Sequence, residues 1–265
     1  MTTTTAPSTT TSRGSGLPLN LLILLAVIAS TASGYIQIAM NIGQSPAEFA
    51  ADSDATLKIA PFAFSIWGVI YLGLFVYALW QLFRSGGRTR FMNRMALPAL
   101  LAFVGIGAWI FVAAWDLEYL SIAVILASAA MLIAPLAAAG PTLDGATRSE
   151  RLLVGYPLAL LGGWLTFASA GNILLVLTGN GLLPAFLPPM GWAIVAIAVV
   201  CLIVLWVVQR TRLAIFALPP AWGLVGAWAA EQARNPTLSL IAAGVAAALA
   251  LFAIATWLGN RRRLA

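Results

Sequence analysis

The sequence predicts an all-α fold: a polytopic transmembrane helical bundle of about eight spans. Three observations predict it. The 265 residues are 62% hydrophobic and only 8% charged, which excludes an ordinary soluble domain. Eight apolar runs each approach the ~20 residues that cross a hydrocarbon core of roughly 30 Å as a helix. Twelve of the fourteen Lys and Arg residues lie before the first run, in every second gap, or after the last. A transmembrane β-barrel does not fit, because barrel strands alternate apolar and polar residues whereas these runs are apolar on all faces.

The runs lie near 17–42, 60–83, 94–115, 118–139, 152–178, 188–209, 212–230 and 237–258. Arg13 precedes the first. Arg84, Arg88, Arg90 and Arg94 fill the second gap, Arg148 and Arg151 the fourth, Arg210 and Arg212 the sixth, and Arg261, Arg262 and Arg263 follow the last. The other side receives Lys58 and Arg234 with Glu48, Asp52, Asp54, Asp116, Glu118 and Glu231. By the positive-inside rule both termini are cytoplasmic. The formal charge of +6 therefore reflects topology. These cations form no basic domain, and no nucleic-acid partner is expected.

Residues 1–16 are Thr, Ser, Gly and Pro around one Arg, a composition that buries too little apolar surface to order itself, so a disordered cytoplasmic tail is expected. Leu17 to Ala29 followed by Ser30-Thr31-Ala32 imitates a secretory signal. Apolar character continues through Tyr35, Ile36, Ile38 and Met40, which favours a retained first span. In that span Ser30, Ser33, Gln37 and Asn41 follow at steps of three, four and four, so they share one face that should point into the bundle. They either pack helices or line a cavity, and Gly34 beside them allows close approach. The gap from Gly43 to Ile59 either folds over a pocket mouth or merely connects two helices.

The second span begins after Pro61 with a dense aromatic stretch in which Trp67 and Tyr71 share a face one to two turns inside. An interface belt explains them less well at that depth. Gly68 between them leaves room for a helix or a flat ligand. The third span ends in Trp109 and Trp115. In the fifth, Trp164, Ala168 and Asn172 follow at steps of four, beside a small face of Gly163, Thr166 and Ala170 suited to tight packing.

These elements resemble the tryptophan-rich sensory proteins, the TspO/MBR family, whose animal members are the translocator proteins or peripheral-type benzodiazepine receptors. The resemblance rests on Trp67-Gly68-x-x-Tyr71, on Trp164 with Asn172 eight positions later, on Tyr156-Pro157, and on the order of a long first loop, an aromatic third span and a tight turn. It covers roughly residues 17–178, so the chain resembles an elongated member: a five-helix core at 17–178 and a three-helix membrane extension with a basic tail at 179–265. The chain departs from the family pattern where Pro61 stands at a usual Trp, where Ala108 stands at a usual Asn, and in a fourth span lacking an acidic residue from Ser121 to Leu132. Those departures bear on tetrapyrrole recognition.

The resemblance implies a pocket for a planar hydrophobic molecule, a tetrapyrrole such as a porphyrin or haem, or a sterol, covered by the first loop. Trp67, Tyr71, Trp109, Trp164, Ala168 and Asn172 are the ligand-binding candidates, with Gln37 and Asn41 from the first-span stripe. Indole faces stack on a flat π-system and an amide bonds a polar edge. No cofactor is required beyond that possible tetrapyrrole ligand, and a bacterial plasma membrane is the expected location.

Enzyme chemistry has little to work with. There is no His, which removes the commonest general base and the proximal ligand of many haem sites. Carboxylates occur only at or beyond span ends, so metal clusters and acid/base pairs lack raw material. Asp116 and Glu118 read as solvated loop charges, and only light-driven porphyrin breakdown, which needs little beyond Trp residues, stays open. The alternatives to a ligand-binding sensor are a transporter of a neutral or lipophilic solute and a helix-packing scaffold. A proton-coupled transporter would place ionisable residues near the midplane, where this chain has none. Pro135 and Pro219-Pro220 are the places to look for broken helices, although kinks tolerated by packing explain them as well. Trp192 and Trp206 stand at opposite ends of the sixth span as interface anchors, whereas Trp222 and Trp228 serve packing or a pocket. Cys201 is expected to be a buried packing residue. Gly244, Ala248 and Ala255 offer one small-residue side for a possible homodimer.

Overall fold

The computed structural model describes residues 17–84 and 88–262. The expected disordered tail at 1–16 and Arg263 lie outside the described residues. Five helices form a closed ring: α1 (Leu17–Ala39), α4 (Arg90–Ala114), α5 (Glu118–Ala138), α7 (Tyr156–Gly179) and α3 (Ile66–Phe83), each packed on the next and α3 on α1. Short helices α2 (Pro46–Ala51) and α6 (Arg148–Glu150) sit in the connections. Outside the ring, α8 (Pro189–Thr211) packs on α5 and α7, α9 (Leu218–Glu231) on α7, and α10 (Pro236–Arg262) on α9. The all-helical polytopic bundle is therefore observed.

Among the described residues, seven helices are long and apolar enough to cross a membrane. The seventh run, 212–230, differs. It folds as a 3-10 turn, Ala214–Ala217, and then α9 of 14 residues. At 1.5 Å per residue α9 rises only about 21 Å. It still passes from end to end: Arg212 at its start takes a hydrogen bond from Asn260 near the end of α10, while Glu231 at its finish meets Lys58 in the first loop. Pro219 and Pro220 occupy the first turn of α9, where the missing N–H groups have no partner to lose, so they start a helix and do not kink one. Pro135 does lie inside α5.

Around Tyr156-Pro157 the fifth run departs from a simple helix. Helical structure begins at Arg148 and passes through a wide π turn, Arg151–Gly155, before α7. Pro157 offers no N–H to the carbonyl four residues back, and the wider turn accommodates that loss.

Close approaches fall on other glycines than Gly34 and Gly68, since a side chain at either would meet nothing within 4 Å. A Cβ on Gly107 would come within 3.1 Å of Ser30, and one on Gly163 within 2.3 Å of the Phe216 carbonyl oxygen. The first lets α1 press on α4; the second seats the 3-10 turn before α9 against α7. Ser30, Ser33 and Gln37 are buried as the stripe requires, but the two serines bond carbonyls of their own helix. Asn41 leaves the stripe: it is exposed with φ +51°, two residues past the end of regular helix, a conformation Asn tolerates. Cys201 is half-buried and free, so it is less enclosed than its run suggested. Gly244, Ala248 and Ala255 stand exposed, and the inward side of α10 carries Leu238, Ala242, Ala246, Leu249 and Ala253.

Candidate functional site

The ring is not filled at the end opposite the arginines. A cavity of about 80 Å³ lies between α4, α5, α7 and the turn Pro61–Ser65, and the first loop covers it. Its walls include Trp109, Ile125, Trp164, Phe167, Ala168 and Asn172, with Phe64 from the turn. Phe49, Ala55, Leu57, Lys58 and Ile59 of the loop complete it. The loop from Pro46 to Ile59 is thus a cover over a pocket, which decides between the two readings its sequence allowed.

The cover is built to hold its shape. Gly43 reaches it with φ +53°, so close to α4 that a Cβ would fall 1.8 Å from the Ala114 carbonyl oxygen. Ser45 then caps α2: its side chain accepts from the Glu48 N–H, and its own N–H donates to the Glu48 carboxylate at 2.7 Å. Those bonds hold the Glu48 carboxyl below its usual range, the backbone bond first. Lys58 Nζ donates to the Ala51 carbonyl at 3.1 Å, closing the far end of the helix. Phe49 faces down and meets the Trp109 ring edge-on at 5.8 Å, among Ala55, Ala113, Leu175 and Val176.

The second half of the cover is bound to the C-terminal helices. Glu231, 1% exposed, accepts the Lys58 N–H at 2.9 Å and sits 3.3 Å from Arg234. Ala60 donates to the Gly226 carbonyl at 3.0 Å, Trp222 Nε1 to the Ala63 carbonyl at 2.9 Å, and the Thr56 hydroxyl to the Pro189 carbonyl at 3.0 Å. No local pattern announces this role for Glu231, because its partner lies 173 residues away.

Four of the eight candidate residues line the cavity: Trp109, Trp164, Ala168 and Asn172. Trp164 is 1% exposed and forms edge contacts with Phe64 at 6.4 Å and Trp67 at 6.2 Å. Trp67 stacks on Tyr71 at 5.2 Å, and the Tyr71 hydroxyl donates to the Ser30 carbonyl at 3.0 Å. That pair backs Trp164 from behind. Gln37 closes the turn after α1 by donating to the Ile42 and Gln44 carbonyls, and Asn41 is exposed there, so neither reaches the cavity. Asn172 donates to the Ser121 hydroxyl at 2.9 Å. Phe49, Phe64 and Ser121 were not among the candidates, and the contacts that place them cross between elements distant in sequence.

Asp116 and Glu118 are not simply solvated. The Gln44 amide donates to Asp116 and the Asn180 amide to Glu118, and Asp52 at the end of α2 joins them, so that the ligand oxygens of all three carboxylates lie within 4.8 Å of one another. The cover thereby brings together raw material for a cluster that the sequence keeps apart. Trp222 and Trp228 line a second hollow, an open apolar groove of about 830 Å³ between α3, α7, α9 and α10.

The described geometry is therefore a ring of membrane-length helices, an aromatic cavity at one end, and a cover pinned from both sides. No curated protein and no solved structure matches the chain. A family model described as TSPO-like protein matches residues 19–255, from α1 into the last turns of α10. On that match the chain belongs to the TSPO-like protein family, as an integral membrane member.

Proposed function

We propose that this protein binds a planar hydrophobic ligand, a tetrapyrrole or a molecule of similar shape, in the covered cavity and acts as a sensor or scavenger of it. The carrying observation is the aromatic wall of Trp109, Trp164, Phe64 and Phe167 around a space covered by the first loop. Packed interiors seldom leave voids larger than a water. Ligand pockets usually measure about 300–1,000 Å³; the cavity measures about 80 Å³, and on this reading it is the closed state of the site. Binding lifts the cover, and Phe49 is the side chain that has to leave. On this reading the arginine-rich face is cytoplasmic.

The test is a titration of the detergent-purified protein with protoporphyrin IX, followed by tryptophan quenching, with Trp164→Phe and Asn172→Ala beside it. Saturable binding weakened by both substitutions is the expected result. Unsaturable partitioning, identical in all three proteins, would remove tetrapyrroles. Movement of a neutral or lipophilic solute is the second reading, favoured by one observation: the open groove includes Ser65, next in sequence to the cavity residue Phe64. Solute flux in vesicles carrying the purified protein would support it.

A further inference from the structure

The open groove between α3, α7, α9 and α10 is apolar, and no described side chain fills it. Ala243, Ala246, Ala247 and Ala250 recur along one side of α10 and reach no further than a methyl group into its 830 Å³ or so. Trp222 and Trp228 of α9 and Val69 of α3 stand at its walls, each more than a third exposed. The exposed side of α3 continues from Val69 to Leu72 and Val76, and α3 and α10 both lie in membrane-length helices. The groove is therefore continuous with the lipid-facing surface of the protein. Water does not settle in such a space, because an ordered water needs about two to four polar partners. The Trp222 Nε1–H, a polar group on the wall, is already donated to the Ala63 carbonyl. Left empty, the lining forfeits its dispersion contacts on that side.

We propose that this groove holds an acyl chain of a bilayer phospholipid, and that the held chain braces the foot of the cover. The chain comes from the bilayer onto which the groove opens. Being flexible, it follows the alanine side of α10 and packs against the two indoles by shape, without a hydrogen bond. Trp222 carries the effect inward. Its ring meets Phe62 edge-on at 5.6 Å, and its N–H holds the Ala63 carbonyl in the turn Pro61–Ser65. A Cβ on Gly226, one turn along α9, would fall 2.7 Å from the Ala63 Cβ, so α9 lies directly on that turn. Ala63 is fully buried, and Phe64 after it lines the cavity. A chain that fixes the Trp222 ring therefore fixes the turn that joins the cover to α3. The chain site is independent of which molecule the cavity takes.

The full-length protein is freed of lipid in detergent and given palmitoyl-oleoyl phosphatidylcholine. Native mass spectrometry reads the lipid retained per chain, and hydrogen exchange reads the turn across 60–66. Two fillings of the groove, Ala243→Leu with Ala247→Leu from α10 and Val69→Phe from α3, are set beside Ala248→Leu, an exposed position of α10 outside the groove. In the unsubstituted protein one lipid should stay bound and slow exchange at 60–66. Either filling should weaken its retention about tenfold, the equivalent of ~1.4 kcal/mol, and leave exchange there unresponsive to lipid. Ala248→Leu should do neither. An unchanged thermal transition shows that a variant folds, and the second filling decides if the first does not. Equal retention in the fillings and in Ala248→Leu would make the groove ordinary lipid-facing surface and overturn the proposal. So would exchange at 60–66 that ignores lipid in the unsubstituted protein, or a lipid-free dimer that a filling dissociates, which would assign the groove to a second copy. The protoporphyrin IX titration is read separately, so none of these results decides the reading of the cavity.

Discussion

The two ends of the helical ring are built differently. At the arginine-rich end, Arg84 meets Glu150 at 2.6 Å and lies over the Trp80 ring, while Arg94 pairs with Asp144 and Arg88 with Asn20. Glu150 is 0% exposed and also closes a capping box with Thr147. Side chains such as Tyr77 and Phe103 fill the space between the helices there. At the other end the aromatic residues surround a cavity, and a loop stands where a packed core would. One end holds the helices in place; the other encloses a cavity under a loop.

The largest effect should come from the closed end. Replacing one partner of a buried ion pair leaves the other uncompensated, at about 3–5 kcal/mol. Glu150→Ala is therefore expected to lower the thermal transition in detergent more than any change in the cover, while the protein that remains folded still quenches on protoporphyrin IX. Loss of quenching with an unchanged transition would show that the ends are not independent.

Phe49→Ala comes next. Truncating a buried Phe costs about 3–5 kcal/mol in a full core, but here the loss should be confined to the cover. Hydrogen exchange should quicken across 46–59 with little change in α4 or α7, and ligand should associate faster because no ring has to leave first. Slower association would mean that Phe49 belongs to the binding surface. The smallest expected effect is Glu231→Ala, which strands the Lys58 N–H at a cost of about 1–3 kcal/mol. Exchange at Lys58 and Ala60 should rise, with the arginine-rich end untouched.

Much of this contrast was legible in the residues. Length and apolar runs set the helices, and the alternation of arginines set which ends share a face. Trp164, Ala168 and Asn172 were readable because a helix repeats every three to four residues and carries them along one side. Reading from periodicity failed where the partner is remote. Gln37 fits the stripe but turns to bond the loop carbonyls, and Asn41 fits it but lies beyond the regular helix. Gly34 and Gly68 offered small surfaces that no neighbour uses, whereas the contacts at Gly107 and Gly163 depend on Ser30 and Phe216. Pairs such as Glu231 with Lys58 or Ser121 with Asn172 exist only once the chain has folded, so no local pattern announces them.

Hydrogen exchange of the purified protein with and without saturating protoporphyrin IX shows whether a ligand enters beneath the cover. Altered protection is expected in the cover at 46–59 and in the adjoining turns of α4 and α7, and none in the π turn at 151–155. Changes confined to α9 and α10 along the open groove, or no change at 46–59 despite saturation, would contradict it.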